Sequence, residues 1–404
     1  MKVEQLVAKN FRNIRESTFY PCPGVNFLVG SNGQGKTSFL EALGFLSTLR
    51  SFRNSKAIDV VRQGTTESTI SCVLTAHDPS SGSWRTDLKV HFQSSPLPQA
   101  KVQKTALINE KPFRSSTLFL SQRFGSAHLG FHTVIFNPSD HDLIRGEPSH
   151  RRSYIDQVIA AEDVEYLKVL QKYHRILIQR NALLKTGSTP SQELWQGFTE
   201  PLCHFGSVLT HKRLNWINRI NPLLKSTMKG LTASKRDVRM GYLSNWVPEI
   251  QNLSFNNNKL NSNPFAGQVE LPSLKLLEES FWSRLAAVNA AERKIGHSLV
   301  GPHRDDWMLF QDDQVLKGKG SQGEIRSALL SLKLSEIDLF RRETGNRPVF
   351  LLDDFSSELD RERRSFLLQF LLETDLQTFV TTTEESSFVG ERYWVKNGDI
   401  CNDY

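Results

Sequence analysis

Cysteine is scarce in this chain, and what is missing narrows the reading first. The four cysteines, Cys22, Cys72, Cys203 and Cys401, lie far apart with no C-x-x-C pair, so neither a zinc site nor a disulfide framework is expected, and a reducing compartment fits best. Long apolar runs are also missing. The stretch Val349 to Leu352 is cut off at once by Asp353 and Asp354, far short of the roughly 18 apolar residues of a membrane span. The N-terminus, MKVEQLVAKNFRNIRES, carries charges every few residues and has no signal-peptide core, so a cytoplasmic protein without a membrane partner is expected. There is no internal repeat, and no low-complexity segment beyond the asparagines between Asn252 and Asn263, which read as an exposed loop.

What remains has the composition of an ordinary globular protein, with 38% hydrophobic and 23% charged residues. At 404 residues a large domain with a smaller one appended is expected. Fifty Lys and Arg against 43 Asp and Glu give a net charge of +7, which suits a polyanionic partner if clustered on one face and says little if spread evenly.

The periodicity of the chain changes twice. Residues 1–30 read as two short strands, the second an apolar run from Val25 to Val29, with a helix following from Gly35. From Ser68 to about Lys111 apolar and polar residues alternate, as in antiparallel strands with one face exposed. Between Arg151 and Leu184 the apolar residues Ile155, Ile159, Tyr166, Leu170, Tyr173 and Leu177 fall on a helical stripe, and a second stripe runs from Trp195 through Ile220. The last hundred residues return to alternating helices and strands. The expectation is an α/β head domain formed by 1–150 with 291–404, and a compact helical arm over 151–290.

Three constellations carry chemistry. The first is Gly30, Ser31, Asn32, Gly33, Gln34, Gly35, Lys36 and Thr37, followed by Ser38: G-x-x-x-x-G-K-[ST] between an apolar strand and a helix. Glycines let successive amides face a phosphate, and the helix adds its positive dipole end. Lys36 is then expected to reach the β and γ phosphates of ATP, and the Thr37 hydroxyl to ligate Mg²⁺. The second is Val349 to Leu352 followed by Asp353 and Asp354, an apolar strand ending in two carboxylates. A carboxylate at a strand's C-terminal end lies where open parallel sheets bind ligands, so Asp353 is assigned to the metal and Asp354 to the base that orients water. The third is Ser321-Gln322-Gly323-Glu324 opening a helix. By itself it is a helix cap; beside the phosphate loop it makes sense as a second anion-binding end that closes over a nucleotide held by another subunit.

These elements, in this order and with Ser357 to Asp360 after the acidic strand, are those of the ABC-type ATPases. More narrowly, the blocks KNFRNIRES, GSNGQGKTS, FNPSDHDLIRGEPSHRRSYID, SLVGPHRDDW, SQGEIRSALLSLKLSE and LLDDFSSELD resemble the RecF family across nearly the whole chain. The resemblance implies an ABC-type head with a mixed sheet around the phosphate loop, an antiparallel β lobe, and a short helical arm in place of the long coiled coil of SMC-type relatives. It implies an ATP-dependent homodimer in which Ser321, Gly323 and Asp360 act across the interface. It also implies binding of single-stranded, gapped or junction DNA, with RecR and RecO partners, to load RecA and support SOS induction. Asp354 stands where most ABC ATPases carry glutamate, and slow hydrolysis is expected, a timer rather than a motor. No switch histidine stands near Thr381 to Thr383, where a threonine would contact the γ phosphate instead.

A transport ATPase subunit is opposed by the missing switch histidine and by the block Gly301 to Asp306, for which no role is derived. An antiviral ATPase-nuclease is not expected, since little chain follows Asp360. Arg12 and Asn13 either touch nucleotide or cap a turn. Arg145, Arg151 and Arg152 either contact DNA phosphates or form a solvated face, and the histidines, His303 among them, do not fall at metal-ligand spacing.

Overall fold

The structure, a computed structural model, describes residues 1–53, 55–78, 82–95, 102–124, 130–186, 191–232, 236–247, 255–256, 259–260, 271–312, 314–355, 361–383 and 389–401. The chain divides into two compact units, Met1–Asp140 with Glu336–Tyr404, and His141–Ser335.

In the first unit two sheets enclose one helix. The antiparallel sheet runs β2 (Ile14–Phe19), β1 (Lys2–Phe11), β4 (Glu67–Asp78), β5 (Gly82–Ser94), β6 (Val102–Ile108), β7 (Lys111–Phe113). Its alternation is that expected from the sequence: on β5, Leu88, Val90 and Phe92 are buried while the residues between them face outward. The second sheet runs β17 (Asp399–Cys401), β16 (Glu391–Lys396), β3 (Val25–Val29), β15 (Thr378–Thr382), β14 (Val349–Leu352), β8 (Thr133–Phe136), and all its neighbours except β16 and β17 are parallel. The strands β3, β14 and β15 are buried along their whole length, and none alternates: β14 is a continuous apolar run, while β3 carries the buried Asn26 and β15 three buried threonines. Helix α1 (Lys36–Thr48) lies in the core that both sheets share, with Phe39, Leu40, Leu43 and Leu46 packed among Leu6, Leu88, Leu351 and Phe379. Each such side chain contributes about 1.5–3 kcal/mol of transfer free energy, enough to anchor the helix end that carries the phosphate loop. A short helix, α2 (Ser116–Leu120), is capped by the Ser115 side chain.

The second unit holds α3 (Asp142–Arg145), α4 (Pro148–Glu162), α5 (Val164–Lys185), α6 (Gln192–Thr232) and α7 (Leu274–Ile295). The stripe read on α5 is its buried face, with Tyr166, Tyr173, Leu177 and Leu184 turned inward. Asp163 caps this helix by accepting from the amides of Glu165 and Tyr166. Helix α6 runs unbroken through Pro201 and Pro222. A helical arm confined to 151–290 is not what the chain forms. A second antiparallel sheet, β10 (Phe255–Asn256), β11 (Lys259–Leu260), β13 (Gln314–Val315), β12 (Asp306–Gln311) and β9 (Val238–Leu243), belongs to this unit. Pairing of β12 with β9 from Asp306↔Leu243 to Gln311↔Val238 ties residues beyond 300 to the arm, and the compact unit therefore extends to Ser335 within α8 (Gln322–Thr344). Of the asparagine-rich stretch, only β10 and β11 fall within the described residues.

The block Gly301 to Asp306 forms the polar heart of this second unit. Asp305, 2% exposed, accepts hydrogen bonds from the Tyr242 hydroxyl at 2.9 Å and the Trp246 indole N–H at 3.1 Å. Arg213 donates to the Pro302 carbonyl at 2.8 Å and to Asp156 at 2.7 Å, and Tyr166 donates to the same carboxylate. His303 shares a 2.6 Å hydrogen bond with the Tyr173 hydroxyl. Gly301 adopts φ of 127°, and a Cβ there would lie 2.6 Å from both Phe281 and the Tyr173 hydroxyl, so glycine is required by backbone and by space. Arg151, 1% exposed, makes a two-pronged pair with Asp306 at 2.7 and 2.8 Å. It is therefore neither a solvated residue nor one available to DNA, and Arg152 also turns inward to the Asp305 carbonyl at 3.0 Å.

Candidate nucleotide site

The phosphate loop joins β3 to α1 as its spacing requires. Gly33 and Gly35 take φ of 81° and 109°, left-handed conformations that bend the backbone back toward the helix. The first turn of α1 carries N–H groups with no intrahelical acceptor, which makes that end an anion site. Lys36, only 8% exposed, folds its ammonium over the loop and donates to the carbonyls of Gly30 and, at 3.0 Å, Ser31. Burial pulls its pKa below the ordinary lysine value, against the opposing pull of Asp354 and Asp353.

Lys36 and the strand carboxylates converge from opposite ends of the chain. The Thr37 hydroxyl donates to Asp353 Oδ1 at 2.8 Å across 316 residues of sequence. Thr381, at the C-terminal end of β15, donates to the same oxygen at 2.7 Å and accepts from the Asp354 amide at 2.8 Å. Asp354 sits at φ of 57°, a left-handed conformation uncommon for a residue with a side chain, and the Thr381 bond pins it there. Burial raises the Asp353 pKa, while its hydrogen bonds from Thr381 and Thr37 hold it down. A carboxylate oxygen and a hydroxyl side by side at the mouth of the phosphate loop are hard oxygen donors of the kind Mg²⁺ takes. A cavity of about 1030 Å³ lies over them, lined by Lys36, Thr37, Asp353, Asp354 and Thr381 together with Arg53 and Arg62. Residues and space fit a nucleoside triphosphate with its metal.

Other residues flagged in the sequence have partners of their own, and two of them, Arg12 and Asn13, also line the cavity. Arg12 grips Glu41, a wholly buried carboxylate on α1, through Nε at 2.9 Å and a second nitrogen at 2.5 Å, and also donates to the Asp59 carbonyl at 2.7 Å. Asn13 braces the loop: its amide donates to the Gly33 carbonyl at 3.2 Å and its oxygen accepts from Ser38 at 2.8 Å. Thr381 does not offer a free hydroxyl to the γ phosphate, because both of its hydrogen bonds hold the acidic pair. Ser321 and Glu324 form a reciprocal cap, in which the Ser321 amide and hydroxyl both donate to Glu324 Oε2 at 2.9 Å and hold that carboxyl below its usual pKa. Ser321 is exposed and Gly323 half-buried. Asp360 lies outside the described residues.

Three further residues shape the site outside the three constellations. Glu41 is an acid in the apolar run of α1, a signal that a cation must meet it. The Asn397–Gly398 pair between two strands is a hairpin signal; its amides reach Gln34, at 2.6 Å to the side chain and 2.8 Å to the carbonyl.

Comparison with known proteins agrees with this geometry. Residues 2–395 match the family described as the RecF/RecN/SMC N terminal domain. The chain is 32% identical over 383 residues to the DNA replication and repair protein RecF of Geotalea daltonii, covering 95% of this chain and 93% of that one. With the RecF of Geobacter sulfurreducens it shares 33% over 387 residues, covering 96% and 94%. A solved structure of the recombination mediator protein RecF with ATP, in the RecFOR pathway, superposes with a TM-score of 0.81 at 28% identity, covering 99% of this chain and 96% of that one. The Smc head domain of Pyrococcus furiosus shares the fold, with a TM-score of 0.54 at 14% identity. The phosphate loop, the paired strand acids and these matches along nearly the full length agree: the chain belongs to the RecF family of DNA replication and repair proteins, ATP-binding members of the SMC-like ABC ATPases.

Proposed function

We propose that this protein is an ATP-controlled DNA clamp of recombinational repair. On this reading Gly30 to Ser38 wrap the phosphates, Lys36 neutralises the β and γ groups, and Thr37 with Asp353 holds Mg²⁺. The metal, when bound, supplies charge neutralisation between the phosphates. Asp354, pinned by Thr381, orients the attacking water. Ser321 and Gly323 of a second copy close over the γ phosphate, with Asp360 beside them, so that ATP joins two chains and hydrolysis parts them. An aspartate at the water-orienting position, shorter than glutamate, fits slow turnover used as a timer. The polyanionic partner is single-stranded, gapped or junction DNA. RecR and RecO would act with the clamp in loading RecA and inducing SOS.

The observation that carries this reading is the convergence of Thr37, Asp353 and Thr381 beneath the cavity at the phosphate loop. Light scattering of the full chain with Mg-ATP, with ADP and without nucleotide tests it, alongside Lys36→Met and with gapped DNA. Dimerisation by ATP alone, lost in the variant and accompanied by DNA binding, supports the clamp. If nucleotide changes neither assembly nor DNA binding, the assignment of Ser321 and Asp360 across an interface is wrong.

A further inference from the structure

The phosphate loop is held from outside by the last hairpin of the chain. Strands β16 and β17 pair from Trp394↔Cys401 to Lys396↔Asp399, leaving Asn397 and Gly398 as a two-residue turn with φ of 52° and 83°. Both central residues at positive φ make the turn whose twist matches the flanking strands, and they fix where its amides point. Those amides point at one residue. The Asn397 N–H donates to Gln34 Oε1 at 2.6 Å and the Gly398 N–H to the Gln34 carbonyl at 2.8 Å.

The fit is close enough to leave no slack. A Cβ on Gly35 would lie 3.2 Å from the Gly398 Cα and 2.9 Å from the Asn13 side chain. A Cβ on Gly398 would lie 2.9 Å from the Asn13 carbonyl oxygen, and one on Gly30 would lie 2.5 Å from the Val395 carbonyl oxygen. Hairpin backbone therefore touches the loop at its first glycine, at its middle and at its last glycine. The Gln34 side chain, which the motif leaves unspecified, is engaged with the turn.

We infer that the Asn397–Gly398 turn is a positioning device for the phosphate loop, acting through Gln34, and that nucleotide affinity is set in part by this C-terminal hairpin. This rests on the reading of the loop as the ATP site and adds what holds it in its receptive shape. A loop of three glycines loses much conformational entropy when it wraps a phosphate. A brace that restricts the free loop removes part of that cost before the nucleotide arrives. Binding linkage is reciprocal, so phosphates on the loop must stabilise the turn by the same factor that the turn improves their binding. The brace touches neither Asp353 nor Asp354, so its loss weakens ATP and ADP alike.

Two measurements on the full chain test this. Amide hydrogen exchange at Asn397 and Gly398 is compared with and without Mg-ATP, in wild type and in Lys36→Ala. Added protection in wild type, absent in Lys36→Ala, is the expected result. Equilibrium dialysis is then run on Gln34→Ala, which keeps the backbone bond and removes the side-chain acceptor; Kd for ATP and for ADP should rise to the same extent, about threefold to tenfold, the weight of one hydrogen bond. Gly398→Ala should give a larger effect in the same direction; should it fail to fold, the exchange measurement on wild type and Gln34→Ala still decide. If wild type binds ATP and Lys36→Ala does not, yet exchange at the turn is unmoved and Gln34→Ala binds within about twofold of wild type, the inference is overturned while the site stands. Failure of wild type to bind ATP at all overturns the site itself.

Discussion

Asp305 and His303 lie two residues apart in the second unit, both buried, and burial moves them in opposite directions. The Asp305 carboxyl, opposed by its bonds from Ser244 and Tyr242 and by Arg213, is pushed up to about 7. The His303 imidazole is lowered to about 4, by burial first and then by Arg304, Arg152 and His174, with the Ser298 carbonyl opposing. For Asp305 the folded state holds its proton more tightly than the unfolded chain, so its contribution is fully present below pH 4 and is lost as pH rises toward 7. For His303 the folded state binds its proton less tightly, so its contribution is present above about 6.5 and is lost as pH falls toward 4. At 1.36 kcal/mol per pKa unit the two are worth at most about 4 and about 3 kcal/mol, and between pH 4 and 6.5 they cancel.

Over that interval the two contributions oppose each other, and single substitutions should expose each slope as a difference from wild type. Relative to wild type, Asp305→Asn should lose about 3 kcal/mol more as pH falls from 6.5 to 4. His303→Gln should lose a similar amount in the other direction, as pH rises from 4 to 7. Absolute stabilities will fall in both variants, because Tyr242, Trp246 and Tyr173 lose favourable partners, but the sign of the slope does not depend on that offset. Urea denaturation at several pH values, followed by intrinsic tryptophan fluorescence, to which Trp246 beside Asp305 contributes, reads it. Parallel slopes in the two variants would show that the opposed burial of these groups is not what sets the pH response.

Three further outcomes follow from single contacts. Thr381→Val keeps the shape of β15 but frees the Asp354 amide and takes a donor from Asp353; kcat for ATP should fall about tenfold or more, as expected from about 1.4 kcal/mol per decade, with a smaller change in ATP affinity, and an unchanged kcat in a steady-state assay would rule out the positioning role of Thr381. Gly301→Ala should cost about 2–4 kcal/mol from the combined clash and backbone strain, read as a lowered urea midpoint for the unfolding of the second unit. Glu292→Ala leaves the buried Arg180 without the carboxylate it meets at 2.7 Å and the Leu299 amide without its acceptor; a loss of about 3–5 kcal/mol is expected in the same assay, and a variant as stable as wild type would mean that water reaches Arg180.

The parts of the site that the sequence made legible are those whose chemistry is local. Eight consecutive residues between a strand and a helix specify the phosphate loop, since its glycines, its lysine and its helix dipole act within one turn of backbone. The acidic pair is legible for a different reason: a carboxylate after a run of buried residues has few other uses once a phosphate loop is known to exist. What brings them into contact, a 2.8 Å bond from Thr37 to Asp353, is a product of sheet order, with β15 between β3 and β14, and sheet order is not written in any one strand. Arg12 illustrates the limit from the other side. It lines the nucleotide cavity, yet nothing in its neighbourhood along the chain shows that the buried Glu41 on α1 holds it, as it must, because an unpaired carboxylate in an apolar core would cost more than the pair does.

The extent of the second unit is hard to read from sequence for a related reason. Polar, charged residues in a row, such as Gly301 to Asp306, have the composition of a surface turn, and composition alone cannot reveal that Asp305, His303 and Asp306 each meet a partner supplied by another helix or strand. Their partners, Tyr242, Tyr173 and Arg151, stand 63, 130 and 155 residues earlier in the chain. A buried polar network of this kind is stable only when each member is satisfied, so the block, β9, β12 and the arm helices must assemble together. Their mutual dependence explains why the compact unit continues past α7 to Ser335.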